Sequence, residues 1–331
     1  MRRPSRRGMG EMKLSFCIKC FNQRGLIRFA LDGALAQSRV PEEILISDDA
    51  STDGSVEEAV SFLLAKGFSE GESSADARVF SRGDQTVKIL LNRQNLGNIG
   101  NWQKLCEVAR GDILIKADGD DISLPNRVER VLANWDEKTH CLVHAAETMD
   151  LDGKPIGTFE KQDGCYGAAS AYDRKCFSEF GPIEFPLAAD DEVYLWRARL
   201  LGGFKQIHER LIRYRVGSGF SSIKNDFRRR MSRNYERTLE SRKQTQADFE
   251  WYKPKLSAVE CGRFAAEIDW AYREDEAMYV LWSDTPLKER WVAFNRFEHG
   301  RLLSKGGLMH RMQLLPRPLA DMVTNTIAAF R

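Results

Sequence analysis

Three short stretches of this chain crowd carboxylates where sequences usually separate them: LISDDAS around Asp48 and Asp49, IKADGDD from 115 to 121, and LAADDEV around Asp190, Asp191 and Glu192. Like charges at such spacing repel unless a cation or strong hydrogen-bond donors gather among them. Asp118 and Asp120, separated by one residue at the end of an apolar run, can both reach one divalent ion. Oxygen donors alone favour Mg²⁺ or Mn²⁺ over zinc, because hard ions prefer carboxylates and keep waters that a substrate phosphate can replace. Gly119 between them gives the backbone freedom and lets a ligand come close. Taken singly, each stretch also reads as a solvated acidic turn, and Asp190 to Glu192 as acids at a helix start, where the macrodipole favours them.

The elements around these acids suggest what positions them. LSFCIKCF reads as a strand, followed by a helix with Leu26, Ile27, Ala30, Leu31, Ala34 and Leu35 at helical spacing. EEILIS is a second strand running into Asp48-Asp49, and Ser51, Thr52 and Asp53 are capping candidates for the helix after it. The polar segment 69–86 reads as a loop or insertion. TVKILLN, NIGNWQKLCEVAR and DILIKA follow as strand, helix and strand, the last ending in the acidic cluster. Repeats of this kind imply an α/β fold with a mainly parallel sheet flanked by helices, and ligands of such sheets bind outside the carboxyl ends of the strands. Both Asp48-Asp49 and Asp118 to Asp121 fall at such ends. Beyond them, LPNRVERVLANWDEK predicts a helix, and CLVHAAETMDLDGKPIG a strand, a turn at Asp152-Gly153 and a return. From about 224 the pattern is wholly helical, with Phe227, Met231, Tyr235 and Leu239 four residues apart. The expected division is a basic, disordered arm over 1–12, a catalytic domain over 13–223 with halves 13–123 and 124–223, and a helical C-terminal region over 224–331.

Composition bounds the function. Of 331 residues, 50 are basic and 48 acidic, a net charge of +2 that gives no general case for nucleic acid. The charge is uneven: +3 over 1–12, −6 over 13–223 and +5 over 224–331. Seven cysteines without regular spacing are not a disulfide framework. Cys17 and Cys20 form a CxxC, but on a strand positions i and i+3 face opposite ways and no second pair completes a site. The basic N-terminus lacks the apolar core of a signal peptide, and no run reaches the ~18 apolar residues of a membrane span. A cytoplasmic protein is expected, with the inner face of a membrane as one place of work. The segment GGLMHRMQLLPRPLADMVTNTIAAFR mixes apolar residues with Arg301, Lys305, Arg311 and Arg317 around it. It suits peripheral contact with an anionic membrane, packing on the catalytic domain, or a second subunit of a homo-oligomer. His208 and His299 read as ordinary histidines, and Trp196 as a core or pocket-wall residue.

From roughly Leu14 to Ser222 the chain resembles the family 2 glycosyltransferases, enzymes of the GT-A fold that use nucleotide sugars. Four motifs stand in that family's order: LISDDASTDGS, NRQNLGNIGNWQKLCEVARGDILIKADGDD, LAADDEVYLWRARLLGG and LIRYRVGSGFSS. The resemblance implies a Rossmann-like GT-A domain with a C-terminal helical extension. It implies that Asp48 bonds the nucleotide base with Asp49 beside it, and that Asn95, Gly97 and Asn101 line the nucleotide side. Asp118 would turn towards ribose or metal-bound water, Asp120 would ligate Mn²⁺ or Mg²⁺, and Asp191 would be the general base. The first strand, commonly ending Pro-Thr-Tyr-Asn in the family, here ends Lys19-Cys20-Phe21-Asn22, with Phe21 and Asn22 by the base and UDP- or TDP-sugars the favoured donors. A His is common after Tyr-Arg-Val in the closing loop; here Gly217 and Ser218 stand there, and their backbone N–H groups suit phosphate oxygens.

The implied reaction is an inverting, metal-dependent transfer of a sugar to a hydroxyl of a glycan or lipid-linked acceptor, as in the synthesis of a bacterial surface polysaccharide such as lipopolysaccharide. One carboxylate base and no protein nucleophile suffice for it. Three other readings compete. A sugar nucleotidyltransferase needs a Gly-rich loop with Arg after the first strand, where NQRGLI offers only Gly25. A signalling receiver domain leaves Asp118 to Asp121 unexplained. A non-catalytic relative that binds nucleotide sugar or glycan makes Asp120 and Asp191 superfluous.

Overall fold

The computed structural model describes residues 12–160, 167–217 and 227–295. The expected arm over 1–12 (but for its last residue), Ser218, the boundary near 222–226, His299 and the apolar-basic tail lie outside them. The described residues fall into two compact units, one built from the chain up to Pro182 with Tyr194–Ser218, the other from Ile183–Val193 and the chain after Gly219.

The first unit is one mixed sheet with helices. The apolar runs become β1 (Leu14–Cys20), β2 (Glu43–Asp48), β5 (Gln85–Leu91) and β6 (Ile113–Asp118), mutually parallel in the order β5-β2-β1-β6. Helices α1 (Ile27–Leu35), α2 (Ser55–Ala65) and α3 (Gly97–Val108) make the crossovers. Because β1 has β2 on one side and β6 on the other, the direction of winding reverses at β1. In sheets of this kind ligands bind beside such a reversal, at the carboxyl ends of the strands, here β1 and β6. Phe16, Ile18, Ile44, Ile46, Ile113 and Ile115 are buried in one apolar core with Ile27 and Leu31 of α1, the covering that a parallel sheet requires. A second layer is aromatic: Trp102, Tyr172, Phe177 and Tyr194 pack ring to ring, Phe177 and Tyr194 with centroids 4.7 Å apart.

The segment expected to be loop is largely strand. β3 (Ser69–Glu70) and β4 (Ala77–Arg82) pair antiparallel at the sheet edge, β4 turning into β5 at Gly83. An edge strand needs one buried face only, and Phe80 alone is fully buried there, so the polar composition concealed it. Beyond β6, the two-residue β7 (Ile122–Ser123) leads into α4 (Arg127–Ala133), shorter than the pattern LPNRVERVLANWDEK suggested. Asn134 ends it by donating its side-chain amide to the Arg130 carbonyl, 2.9 Å away. β8 (Cys141–Met149) and β9 (Pro155–Phe159) form the expected hairpin, and β10 (Ser170–Asp173) fits antiparallel between β6 and β8. After the short α5 (Lys175–Ser178) and α6 (Asp190–Leu201), β11 (Phe204–Arg215) lies parallel to β8 and carries β7 on its other edge. Cys17 and Cys20 are buried in β1 as free thiols.

The second unit is helical. α7 (Phe227–Tyr252) and α8 (Ala258–Trp282) run antiparallel, Met231 and Tyr235 packing on Met278, Leu281 and Trp282, and α9 (Leu287–Asn295) adds Ala293. Ser257 and Glu260 form a reciprocal capping box at the start of α8. Among the described residues no helix is long and apolar enough to cross a membrane.

One buried group of the sheet unit titrates away from its ordinary range. His144 on β8 is 3% exposed, its Nδ1 bonds the Ala145 carbonyl at 2.9 Å, and its Nε2 has no partner. Burial first, then the Arg127 charge, holds its pKa well below 6.5. A histidine kept neutral in the fold but protonated when unfolded favours unfolding as pH falls, so its contribution to stability is lost going down from 6.5. Urea unfolding between pH 7.5 and 5.5 is expected to show wild type losing up to about 1.4 kcal/mol per pH unit through this one proton. His144→Leu is expected to lack that part of the slope; an identical slope in both proteins would contradict the assignment.

Candidate active site

At the end of β2 the two acids take different partners. Asp48 is 4% exposed; its Oδ2 accepts the Ser51 N–H at 2.9 Å, while its buried Oδ1 has no hydrogen-bond partner. The Cys20 thiol adjoins this carboxylate, and burial first, then the Asp48 charge, pushes it above the ordinary thiol range. Asp49 is fully engaged: Oδ1 accepts the Leu96 N–H (2.8 Å) and the Asn92 amide (3.2 Å), and Oδ2 the Gly97 N–H (3.0 Å). It thus satisfies N–H groups at the start of α3 that no helical carbonyl can reach. The Asn95 side chain also accepts the Gly97 N–H, at 2.8 Å. Asn101, 3% exposed, donates to the Cys20 carbonyl (3.3 Å) and accepts from Asn92 (3.3 Å), tying α3 to the end of β1. Asn22 adopts φ +50°, donates its N–H to Ser51 Oγ (2.9 Å) and accepts the Thr52 N–H (2.9 Å). Ser51 and Thr52 therefore clasp the neighbouring loop instead of capping α2, whose N-cap is Gly54. Phe21 is 46% exposed beside them in sequence.

At the end of β6 the turn Asp118-Gly119-Asp120-Asp121 is held from three sides. The Gly119 N–H donates to the Lys19 carbonyl (2.9 Å) and the Asp121 N–H to the Asp118 carbonyl (3.1 Å). A Cβ at Gly119 would lie 2.3 Å from Gln23 Oε1 and 3.1 Å from the Lys19 carbonyl, so a side chain there would have to push the Gln23 amide aside and crowd the β1 backbone. Asp118 pairs with the Lys19 ammonium at 3.0 Å. Asp121 is buried; Oδ1 accepts the Arg215 N–H at 2.8 Å and Oδ2 has no partner. Burial chiefly, then Asp120 and Asp118, pushes its pKa well above the ordinary carboxylate range, against the Arg215 N–H and the Arg127 charge. Asp120 is half-buried.

Two arginines that sequence reasoning passed over hold this turn. Arg127 is fully buried and donates to Ser123 Oγ (3.0 Å) and to the Lys116 and Ala168 carbonyls (2.8 Å each). Burial brings its pKa down to about 9, while Asp121 and Asp118 pull it up, so it stays charged at neutral pH. Arg215 donates from Nε to the Asp120 carbonyl (3.0 Å) and from Nη1 to the Asp150 (3.1 Å) and Leu151 (2.7 Å) carbonyls. Their sequence contexts, LPNRVER and IRYRV, read as a helix start and a strand, and only the fold turns those side chains inward. Gly217, two residues on, adopts φ +92°, a backbone conformation a histidine would occupy only under strain.

Among the described residues no three His, Cys, Asp or Glu side chains gather as a ready metal site. The donor set of the turn nonetheless fits a hard divalent cation: two carboxylates one residue apart, beside a third whose buried oxygen is unsatisfied. Such ions take few protein ligands and complete their shell with water and substrate phosphate. Asp191 belongs to the second unit, half-buried in the first turn of α6 and flanked by Asp190 and Glu192. There Ser241 Oγ of α7 accepts the Ala189 N–H at 2.8 Å, and Arg242 approaches Glu192 at 3.8 Å while pairing with Asp275 at 2.7 Å.

The family described as Glycosyl transferase family 2 matches residues 15–155. The succinoglycan biosynthesis protein ExoO of Rhizobium meliloti is 24% identical over 151 residues, 45% of this chain and 38% of ExoO. Alignments with the curated relatives take in less than half of those proteins' own length. Among solved structures, S. aureus TarS 1-349 in complex with UDP-GlcNAc has a TM-score of 0.55 at 15% identity, covering 93% of this chain and 83% of TarS. The mannosyltransferase PcManGT of Pyrobaculum calidifontis, in complex with GDP-Man and Mn²⁺, has a TM-score of 0.53 at 14% identity, covering 95% and 87%. At such identities the likeness is one of fold, and it meets the expectation of a GT-A sheet flanked by helices with a helical C-terminal region.

Removing the Arg215 side chain takes the donor from the Asp120 carbonyl of the acidic turn and from the Asp150 and Leu151 carbonyls of the turn between β8 and β9. Arg215→Met is expected to lower stability by about 3 kcal/mol in urea unfolding, the worth of one or two hydrogen bonds to a charged donor at roughly 1.5–3 kcal/mol, because the Leu151 carbonyl belongs to an exposed residue that water can reach. A loss below about 0.5 kcal/mol, the scatter of an ordinary surface change, would show that the turn holds without it.

Proposed function

The chain belongs, through residues 15–155, to the family 2 glycosyltransferases, and on that premise we propose that its sheet unit binds a nucleoside-diphosphate sugar at the carboxyl ends of β1, β2 and β6 for inverting transfer to a glycan hydroxyl. The observation that carries this reading is two places where buried carboxylate oxygens lack a hydrogen-bond donor: Asp48 Oδ1 at the end of β2, and, after β6, Asp121 Oδ2 with Asp118 Oδ1, which has only the Lys19 ion pair. A buried acceptor without a donor costs about 1–3 kcal/mol, and a ligand that supplies a donor to one and positive charge near the other relieves both.

In this reading Asp48 accepts an N–H of the base, with Asn22 and the exposed ring of Phe21 beside it. Asp49, Asn95, Gly97 and Asn101 act behind them, fixing the start of α3. Asp118 and Asp120 would hold Mg²⁺ or Mn²⁺, which when bound supplies the positive charge that a departing nucleoside diphosphate needs. Asp121, Arg127 and Arg215 keep the turn in place without touching substrate. The backbone N–H of Gly217 meets a phosphate oxygen, a role expected also of Ser218, which lies outside the described residues. Asp191, at a helix start that fixes its direction, takes the proton of the attacking acceptor hydroxyl as it attacks the anomeric carbon opposite the leaving diphosphate. With one base and no covalent intermediate the configuration inverts. The acceptor class, a growing surface polysaccharide or a lipid-linked glycan, follows the biosynthetic role in ExoO's name and is analogy. TarS and PcManGT are solved with donors of different bases, UDP-GlcNAc and GDP-Man.

A thermal-shift panel of UDP-, TDP-, GDP- and CDP-sugars, with Mn²⁺ and with EDTA, tests the donor site, because a ligand of the folded state raises Tm with its occupancy. One nucleotide class is expected to stabilise wild type most with Mn²⁺, and Asp120→Ala to lose that gain; no shift from any donor would overturn the reading. For the base, Asp191→Asn is expected to keep donor binding while donor turnover falls at least ~100-fold, the lower end for a lost general base. Unchanged turnover would remove Asp191 from that role.

A further inference from the structure

Lys19 is the charged side chain that β1 delivers into the crevice. On β1 it stands in register with Ser47 of β2 and Asp118 of β6, at the point where the sheet reverses its winding. Its Nζ lies 3.0 Å from Asp118 Oδ1 and also donates to Asn98 Oδ1 in the first turn of α3. Its carbonyl accepts the Gly119 N–H at 2.9 Å, so backbone and side chain both grip the turn that carries Asp118. The lysine side chain is 12% exposed and that of Asp118 29%, enough shelter for the pair to persist yet open to a ligand. A cation beside a helix start is disfavoured by the helix dipole, and the Leu96 and Gly97 N–H groups there are already answered by Asp49. The position is therefore one that anions stabilise: Asp118 now, and a second anion if one arrives.

We propose that Lys19 is a resident cation of the donor site, sharing Asp118 with the divalent metal and binding the diphosphate of the nucleotide when metal is absent. The proposal rests on the donor reading above and adds to it a second, protein-borne positive charge. A metal that takes Asp118 must displace the ammonium, which weakens binding of metal alone. The four-carbon stem leaves the freed ammonium within reach of the same crevice, where a diphosphate offers it oxygens. Nucleotide binding in this protein therefore has a metal-independent, salt-sensitive part.

The test uses the full chain as wild type, Lys19→Met and Lys19→Arg, with Lys19→Gln as a further neutral variant, all checked for native circular dichroism. Mn²⁺ alone is titrated by electron paramagnetic resonance of the free ion. UDP, TDP, GDP and CDP are titrated calorimetrically with Mn²⁺ and with EDTA. Lys19→Met and Lys19→Gln are expected to bind Mn²⁺ alone about threefold more tightly, the size of an exposed ion pair removed. They are expected to lose about tenfold in affinity for the preferred nucleotide in EDTA, the size of one charge-assisted hydrogen bond, and Lys19→Arg to regain most of it. Equal Mn²⁺ and EDTA affinities in wild type and the neutral variants would overturn the proposal while leaving the donor site standing. Wild type that binds nucleotide only with Mn²⁺ would do the same. Wild type that binds no nucleotide under either condition would bring down the donor reading as well.

Discussion

Carboxylates brought together at neighbouring strand ends must be neutralised, and most of the polar architecture of the sheet unit answers that demand. Asp49 is taken up by the N–H groups at the start of α3. Asp118 is met by Lys19, and Asp121 by the Arg215 N–H with the buried Arg127 charge behind it. Each partner also ties two elements together: α3 to β2, β1 to β6, β11 to the turn after β6. Charge compensation and loop positioning are here the same contacts.

The compensation stops short. Asp48 Oδ1, Asp121 Oδ2 and, apart from its ion pair with Lys19, Asp118 Oδ1 are left buried without a hydrogen-bond donor, and the Asp121 carboxyl carries the strain as a raised pKa. A fold selected for stability alone would replace one acid by an amide or bring in another guanidinium. Leaving negative charge under-compensated at a sheet's switch point makes sense when the missing positive charge and donors arrive with a ligand. That is the physical content of the donor-site proposal. The turn is also tied to its neighbours: Gly119 packs on Gln23 and donates its N–H to the Lys19 carbonyl, which keeps the acids beside the end of β1.

What could be read from the sequence divides along physical lines. Strands β1, β2, β5 and β6 were legible because fully buried parallel strands are short apolar runs, and two of them end abruptly in Asp. The edge strand β4 was not, since a single buried Phe80 leaves it looking like loop. The capping box Ser257-x-x-Glu260 was present as a local signal and went unread. The buried charges lay beyond local reading: Lys116 sits 1% exposed with its ammonium 5.2 Å from the Trp102 ring, and Arg127 is fully enclosed, whereas charges in a sequence suggest surface. Lys19 and Asp118 meet only because β1 and β6 pair in one particular register, ninety-nine positions apart in the chain, and no short-range pattern predicts it.

The central claim is that the acidic turn and the end of β2 together seat a cation-paired nucleoside diphosphate. The most direct measurement is anomalous diffraction at the manganese edge from crystals grown with Mn²⁺ and the best-binding nucleoside diphosphate. The account predicts one manganese peak at the Asp118 and Asp120 carboxylates, contiguous with diphosphate density, and the base against Asp48. A nucleotide lodged elsewhere, or bound there with its diphosphate turned away from Asp120, would contradict it.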